Sequence, residues 1–279
     1  MKPHGRRSLT PILTTVAVLA FFYLPIVVLV VGSFNAAKFG GSWQGFTFKW
    51  YARLWEHDAI RRALVNTLVV GLLATLVSTV VGTIGAFALH RFGGSRLQRF
   101  HSSMVWLPLM VPEILMGLSL LIFFGEVLGW TLGRTTMVIA HVTFCVSYVI
   151  MVVRARLQDF DGALLEASLD LGATWWQTTW KVLVPVLLPG IAAGALLAFT
   201  LSIDDFVISF FVNGKGMTTL PIQVQGMIKR GRDGTGILDA LSTLMILVTF
   251  ILLIASQLLS GDLFAAAKPS GKKGGKAKA

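Results

Sequence analysis

Three carboxylates, Glu113, Asp204 and Asp205, lie within or at the ends of long apolar runs. A charged side chain at the centre of a bilayer costs roughly 2.5 to 3.5 kcal/mol on insertion scales, so each must face protein, water or a cation. Asp204 and Asp205 are contiguous, and neighbours on a helix point about 100° apart. They are therefore not a pair sharing one proton, which argues against an intramembrane aspartyl protease with its two aspartates on facing helices. One is free to face a pathway while the other caps a helix or meets a partner subunit, and the sequence leaves the assignment open. Glu113 follows Pro108 and Pro112, whose missing N–H groups free carbonyls near Met104 and Pro108. Broken helix at membrane depth is tolerated where it is buried in protein or lines a water-filled cavity. For all three carboxylates, contact with a transported molecule stands beside a structural role in capping or ion pairing.

Other chemistries find no support in the residue pattern. A phosphate-cradling loop needs glycine amides around a lysine, and no G-x-x-x-x-G-K-[ST] occurs. The chain is not expected to hydrolyse nucleotide or to carry a cofactor. His4, His57, His90, His101 and His141 form no pair at metal-ligand spacing and read as loop or packing residues. Cys145 is the single cysteine, so an intrachain disulfide is excluded and a packing role expected.

The elements that must hold these groups are membrane helices. Only 13% of residues are charged and 55% are hydrophobic, a composition that does not cover a soluble domain. The apolar residues come in blocks of about 18 to 25, matching about 30 Å of hydrocarbon at 1.5 Å per helical residue. Six spans are expected, near Pro11–Phe34, Leu64–Leu89, Met104–Phe124, Thr136–Val153, Leu187–Phe211 and Ile237–Leu259. Lys2, Arg6 and Arg7 before the first run resemble a secretory signal, but the run is too long and lacks a cleavage site, so an uncleaved span is expected. With six spans both termini share a compartment, whose segments hold 14 of the 24 Lys and Arg residues. That bias favours cytoplasmic termini.

Five of those basic residues, Lys268, Lys272, Lys273, Lys276 and Lys278, crowd a Gly/Ala-rich tail. The formal charge of +11 therefore points to a disordered tail at an anionic leaflet rather than to nucleic acid. Trp43, Phe46, Phe48, Trp50, Tyr51 and Trp55 follow the first span. They fit either an interfacial aromatic collar on the outer side or a small folded cap. Gly190, Gly194 and Ala198 form a small-residue face for close helix approach, internal or with a partner, and Gly71, Thr75, Ser78 and Gly82 form a weaker one.

The longest inner loop, about 154–185, reads as polar helices rather than linker. Leu164, Leu165, Leu169 and Leu171 supply apolar positions, Gly172 can close a helix in the left-handed region, and Thr174 with Gln177 can restart one as a capping box. The loop contains Glu166-Ala167-Ser168, then Gly172, then Val182-Leu183-Val184-Pro185. This resembles the E-A-A…G…I-x-L-P signature of the membrane-spanning subunits of bacterial ABC importers, with Ser168 where alanine is usual and Val182 and Val184 replacing other aliphatics. Small side chains at Ala167 and Ser168 permit close approach, and the break at Gly172 shapes a knob for a cleft on a partner.

Stretches far apart narrow the resemblance: Trp43-Gln44-Gly45-Phe46 through Trp50-Tyr51, His141 to Cys145, Phe199 to Asp205, Thr219-Leu220-Pro221 and Ile254 to Leu258. Together they are similar to the second of the two non-identical permeases of spermidine/putrescine importers, from the first span to the last. The resemblance implies an all-α integral membrane fold of about six transmembrane helices, with type I ABC importer architecture and a cytoplasmic coupling helix-turn-helix. It implies one permease domain over 1–262 and a basic cytoplasmic tail over 263–279, in a bacterial inner membrane. It implies a homologous second permease, two copies of a cytoplasmic ATPase that binds and hydrolyses ATP, and a periplasmic polyamine-binding protein as partners. Glu166, Ala167, Ser168, Asp170, Gly172, Ala173 and Pro185 are then the ATPase-coupling residues. Glu113, Asp204, Asp205 and Trp106 are the substrate-pathway candidates, because ammonium groups are attracted to carboxylates and aromatic faces. Related permeases for iron, an anion or a thiamine-like cation share the loop motif and differ in the charge of their cargo.

Overall fold

Lipid offers no hydrogen-bond partner to the backbone, so a spanning segment must satisfy its own N–H and C=O groups, which a helix does. In the computed structural model, which describes residues 9–91, 96–158, 160–231 and 234–266, the described residues form helices and no β-strand. In chain order they are α1 (Leu9–Gly32), α2 (Lys49–Glu56), α3 (Asp58–Arg91), α4 (Arg96–Met110), α5 (Glu113–Ile122) and α6 (Arg134–Gln158). There follow α7 (Ala163–Asp170), α8 (Trp175–Thr178), α9 (Val184–Asp204), α10 (Val207–Phe211), α11 (Leu220–Arg230) and α12 (Thr235–Ala266). A π-helical turn, Phe123–Val127, extends α5, and a second, Thr179–Leu183, joins α8 to α9 in one continuous rod.

Among the described residues, five helical segments are long and apolar enough to cross a membrane, and a bent pair makes a sixth. The expected spans are thus present with three corrections. The third is not straight: Phe100–Met110 and Glu113–Val127 meet at 106°. Pro108 stays inside α4, whereas Pro112, with φ −55° and ψ 133°, sends the chain out of the helix and starts α5. The fifth span starts at Trp175, earlier than Leu187, and its helix stops at Asp204 rather than Phe211. The last helix continues to Ala266, past the boundary at 262 set for the tail, while 267–279 lie outside the described residues, as do Lys2, Arg6 and Arg7.

The chain divides into two compact units, Met1–Arg61 with Gln223–Val248 and Arg62–Ile222 with Thr249–Ala279. In the first, Asn35 ties the loop after α1: its Oδ1 accepts from Ala37 and Gln44 N–H, its Nδ2 donates to Ser42, and its own carbonyl accepts from the buried Trp50 indole at 2.7 Å. Phe34 stacks on Phe46 at 5.3 Å and meets Phe48 and Tyr51, each at 5.5 Å. Of the two readings of this aromatic segment, the small folded cap is the one formed. The outward faces of Trp43, Phe46, Phe48 and Trp55 nevertheless stay exposed.

In the second unit α6 is the hub. Met137, Ala140, Cys145, Val149, Val153 and Leu157 along it are fully buried. Both small-residue faces serve this chain's own packing. A Cβ on Gly194 would meet Val149 at 3.4 Å and one on Gly190 would meet Arg156 at 2.9 Å, so α9 lies close along α6. On α3, Gly82 sits against the same Val149, and Gly71 lies under Ile203 and Phe199 of α9. Helices in lipid gain association from such close backbone approach, because burying apolar surface there drives nothing.

Gly82 is the tightest of these contacts, since an added Cβ would lie 2.6 Å from Val149 Cγ1 and 3.3 Å from the Val146 carbonyl. Gly82→Val is expected to cost about 1–3 kcal/mol by overpacking. Thermal unfolding of the detergent-purified protein should show a lowered midpoint, with a smaller drop when Val149→Ala accompanies it.

Candidate functional site

The break after α9 gathers the polar groups of this membrane protein. Asp204 is the last residue of α9, and Asp205, at φ −65° and ψ 122°, is extended. The chain then turns into α10, whose first N–H groups need acceptors. Asp205 supplies them: its Oδ1 accepts from Ile208 N–H at 3.3 Å and its Oδ2 from Ser209 N–H at 2.7 Å. The same Oδ2 lies 3.5 Å from His141 Nε2 on α6, and this side chain is buried. Asp204 is exposed, and its one described partner is the Thr249 hydroxyl at 3.4 Å. The two aspartates are thus divided by geometry: Asp205 caps α10, and Asp204 is exposed at the break.

Glu113 opens α5 directly after Pro112, where the N-terminal end of the helix dipole favours a carboxylate. The broken third span and the broken fifth span meet at a cavity of about 310 Å³. Glu113, Asp204 and Asp205 all line it, with Phe144, Tyr148 and Phe206 among the other walls, and no lysine or arginine does among the described residues. Trp106 is not among its walls; it sits on α4, 46% exposed. Three acidic groups beside aromatic faces favour a cation carrying apolar methylenes. At an effective dielectric near 20, a carboxylate and an ammonium about 4 Å apart attract by about 4 kcal/mol.

Sequence reasoning missed Tyr148 and Phe206, which look like ordinary span residues until the fold sets Tyr148 of α6 and Phe206 of the break on one cavity. It also set His141 aside, although an ionisable residue within a span is itself a signal. Asp239, inside α12, was missed in the same way; its Oδ2 lies 3.0 Å from where a Cβ on Gly32 would stand.

The loop after α6 is a separate, tightly tied structure. The Asp161 side chain accepts from Ala163 N–H at 2.9 Å and starts α7. At its end Gly172 adopts φ +85°, Gly172 N–H donates to Leu169 and Ala173 N–H to Ser168, the paired bonds of a Schellman motif. Thr174 and Gln177 then form the expected capping box, at 2.9 and 3.3 Å. Ser168 Oγ bonds the buried Thr178 hydroxyl at 2.9 Å, pinning α7 onto the rod of α8 and α9. Serine here therefore adds a bond as well as being small.

Glu166, Ala167 and Asp170 are exposed on α7, and Ala173 is half-buried in the turn. Pro185 is placed differently from expectation, in the first turn of α9 within the continuous rod, and Arg154 likewise belongs to α6. The knob's outer surface is apolar: Leu171 is 89% exposed, and Leu164 and the edge-to-face pair Trp176 and Trp180 are also exposed. Exposed apolar clusters rimmed by charge mark interaction surfaces.

Residues 78–266 match the family described as "Binding-protein-dependent transport system inner membrane component". The chain is 39% identical over 246 residues to the spermidine/putrescine transport system permease protein PotC of Escherichia coli, covering 88% of this chain and 92% of that one. It is 39% identical over 231 residues to the putrescine transport system permease protein PotI of Escherichia coli, covering 81% and 82%. Among solved structures, a bacterial ABC transporter involved in import of the acidic polysaccharide alginate superposes with TM-score 0.70 at 18% identity, over 92% of this chain and 99% of that one. The MetNI methionine ABC transporter does so with TM-score 0.55 at 20% identity, over 74% and 99%. These structures share the fold, and the expected all-α importer-permease architecture is the one observed.

The two aspartates should separate in a stability measurement. Asp205→Ala removes a cap with two backbone partners and is expected to cost about 1–2 kcal/mol. Asp204→Ala should leave the thermal midpoint of the purified protein within error of the parent. Equal midpoints for the two variants would contradict the division.

Proposed function

We propose that this chain, which belongs to the family of binding-protein-dependent transport system inner membrane components, is a permease subunit that carries polyamines inward across the bacterial inner membrane. The observation that carries the reading is the cavity at the two broken spans, walled by Glu113, Asp204 and Asp205 with no basic side chain among the described residues. Two relatives at 39% identity named for spermidine and putrescine transport support the same cargo class. The alginate importer shares only the fold at 18% identity, so its acidic cargo does not carry over. A polyanion would also be repelled by these walls.

In this reading a homologous permease completes the path, a periplasmic binding protein delivers the cation from outside, and two cytoplasmic ATPase subunits bind and hydrolyse ATP. The chain itself performs no covalent chemistry and holds no cofactor. Both termini face the cytoplasm, which the distribution of Lys and Arg favours. The knob of α7 and the Gly172 turn seats in the ATPase cleft through Leu171 and its neighbours. Because Ser168 and the capping box tie the knob to the rod that ends at Asp204, displacement of the knob moves the cavity wall. Glu166, Ala167, Asp170 and Ala173 form the surface and turn of that knob. Pro185 acts inside the rod.

Cells expressing the complete set of subunits are expected to take up labelled putrescine or spermidine with this chain present and to lose that uptake without it. Unchanged polyamine uptake, alongside loss of transport of another solute, would overturn the cargo. Gly172→Asp forces a side chain into the left-handed region at a cost of about 1–2 kcal/mol. It should still insert in the membrane and support ATP hydrolysis by the assembled complex while transport falls. Normal transport by that variant would count against the docking role.

A further inference from the structure

The imidazole of His141 is 1% exposed, deep in the second unit. Its Nδ1 lies 2.7 Å from Ser202 Oγ, two residues before the end of α9, and its Nε2 lies 2.9 Å from Ser209 Oγ, inside α10. Asp205, in the break itself, adds a third contact at 3.5 Å to the same Nε2. One side chain on α6 therefore grips the fifth span on both sides of its interruption. A serine hydroxyl donates or accepts, so both contacts are satisfied whichever ring nitrogen carries the proton. Phe144, one turn along α6 with its ring 5.5 Å from the imidazole, is itself a wall of the cavity.

A helix interrupted between two half-buried pieces needs something to fix the angle between them. Asp205 ties the break to α10 through backbone N–H groups and reaches α6 only at 3.5 Å, through the same His141. Ser202 and Ser209 reach across to α6, and His141 is where they converge. Asp204 sits at the edge of the break with a single partner among the described residues, at 3.4 Å, so its direction follows from how the break is held.

From this geometry we infer that His141, with Ser202 and Ser209, is a clasp that locks the interrupted span and thereby aims Asp204 into the cavity: a positioning residue for cargo capture, not a cargo contact. The inference rests on the reading of this cavity as the cation path. It divides the work among neighbouring polar residues, with Asp204 meeting the cation, Asp205 capping, and His141 holding the two in register.

The test is the initial rate of labelled spermidine uptake by the complete transporter, normalised to the amount of this chain in the membrane. His141→Leu is expected to lower the rate about tenfold, with His141→Gln, whose amide keeps both a donor and an acceptor, retaining at least about half. Ser202→Ala combined with Ser209→Ala removes the hydroxyls without adding volume and should match His141→Leu, which keeps the test available if the leucine variant fails to accumulate. The discriminating readout is non-additivity: in an Asp204→Asn background, His141→Leu should lower uptake by no more than about twofold further, because both act through one group. Multiplicative losses would assign His141 a merely structural role and overturn the inference. So would normal uptake by the serine double variant. Normal uptake by Asp204→Asn alone would instead overturn the cation-path reading beneath it, and the inference with it.

Discussion

A backbone polar group in hydrocarbon has no water to turn to, and the rest of this structure follows from that constraint. Wherever a span is unbroken, the helix meets the constraint by itself and its side chains are free to be apolar. Wherever a span is interrupted, the freed groups must find partners within the protein, and polar side chains accumulate there. The two interruptions, at Pro112 and at Asp205, are where Glu113, Asp204 and Asp205 lie. Asp205 answers two N–H groups of α10. Pro112 lacks the N–H altogether, and its carbonyl accepts from Leu115 and Met116 at 2.9 and 3.1 Å. The cavity is thus built from the same breaks that make polar side chains affordable in the membrane.

Rigidity elsewhere gives the breaks something to move against. Val149 on α6 touches Gly82 of α3 and Gly194 of α9, so three helices share one contact point with no side chain to spare. Cys145 adds a weak contact from its thiol to the Ala198 carbonyl at 3.5 Å. Outside this packed trio, Asn66 donates to the carbonyls of Gly216 and Thr218, and Thr67 accepts from Leu220 N–H at 2.7 Å. Those bonds anchor the segment after α10 to the start of α3. Ser168 and Thr178 tie α7 to the rod of α8 and α9, which packs along α6 and ends at the polar break.

What was legible in the sequence follows the range of the forces involved. Spans were legible because hydrophobic length is a local property, and the Gly172 turn and the Thr174 capping box were legible because their bonds close within a few residues. The end of α9 was misplaced because Val207 to Phe211 is as apolar as the run before it. Only the claim of Asp205 on the N–H groups of α10 ends the helix, and composition does not register that. Pro185 reads in sequence as the end of the loop, but it lies inside the rod, directly after the π-helical turn Thr179–Leu183, and such local adjustments let a spanning helix continue through a proline. Tyr148, Phe206 and the bond of His141 to residues about 60 positions away depend on which helices meet, and a single chain without that knowledge offers only residue types.

The backbone itself biases the cavity toward a cation at one end. A helix ends with its last carbonyls unpaired and a partial negative charge, and begins with unpaired N–H groups and a partial positive one. Asp204 sits at the C-terminal end of α9, a helix with no basic residue in its last turn, so its carboxylate adds to a field that is already negative. Glu113 sits at the N-terminal end of α5, where the field partly offsets its charge. Asp204 and Glu113 on the one cavity therefore sit in helix-end fields of opposite sign, before any difference in their side-chain partners is counted.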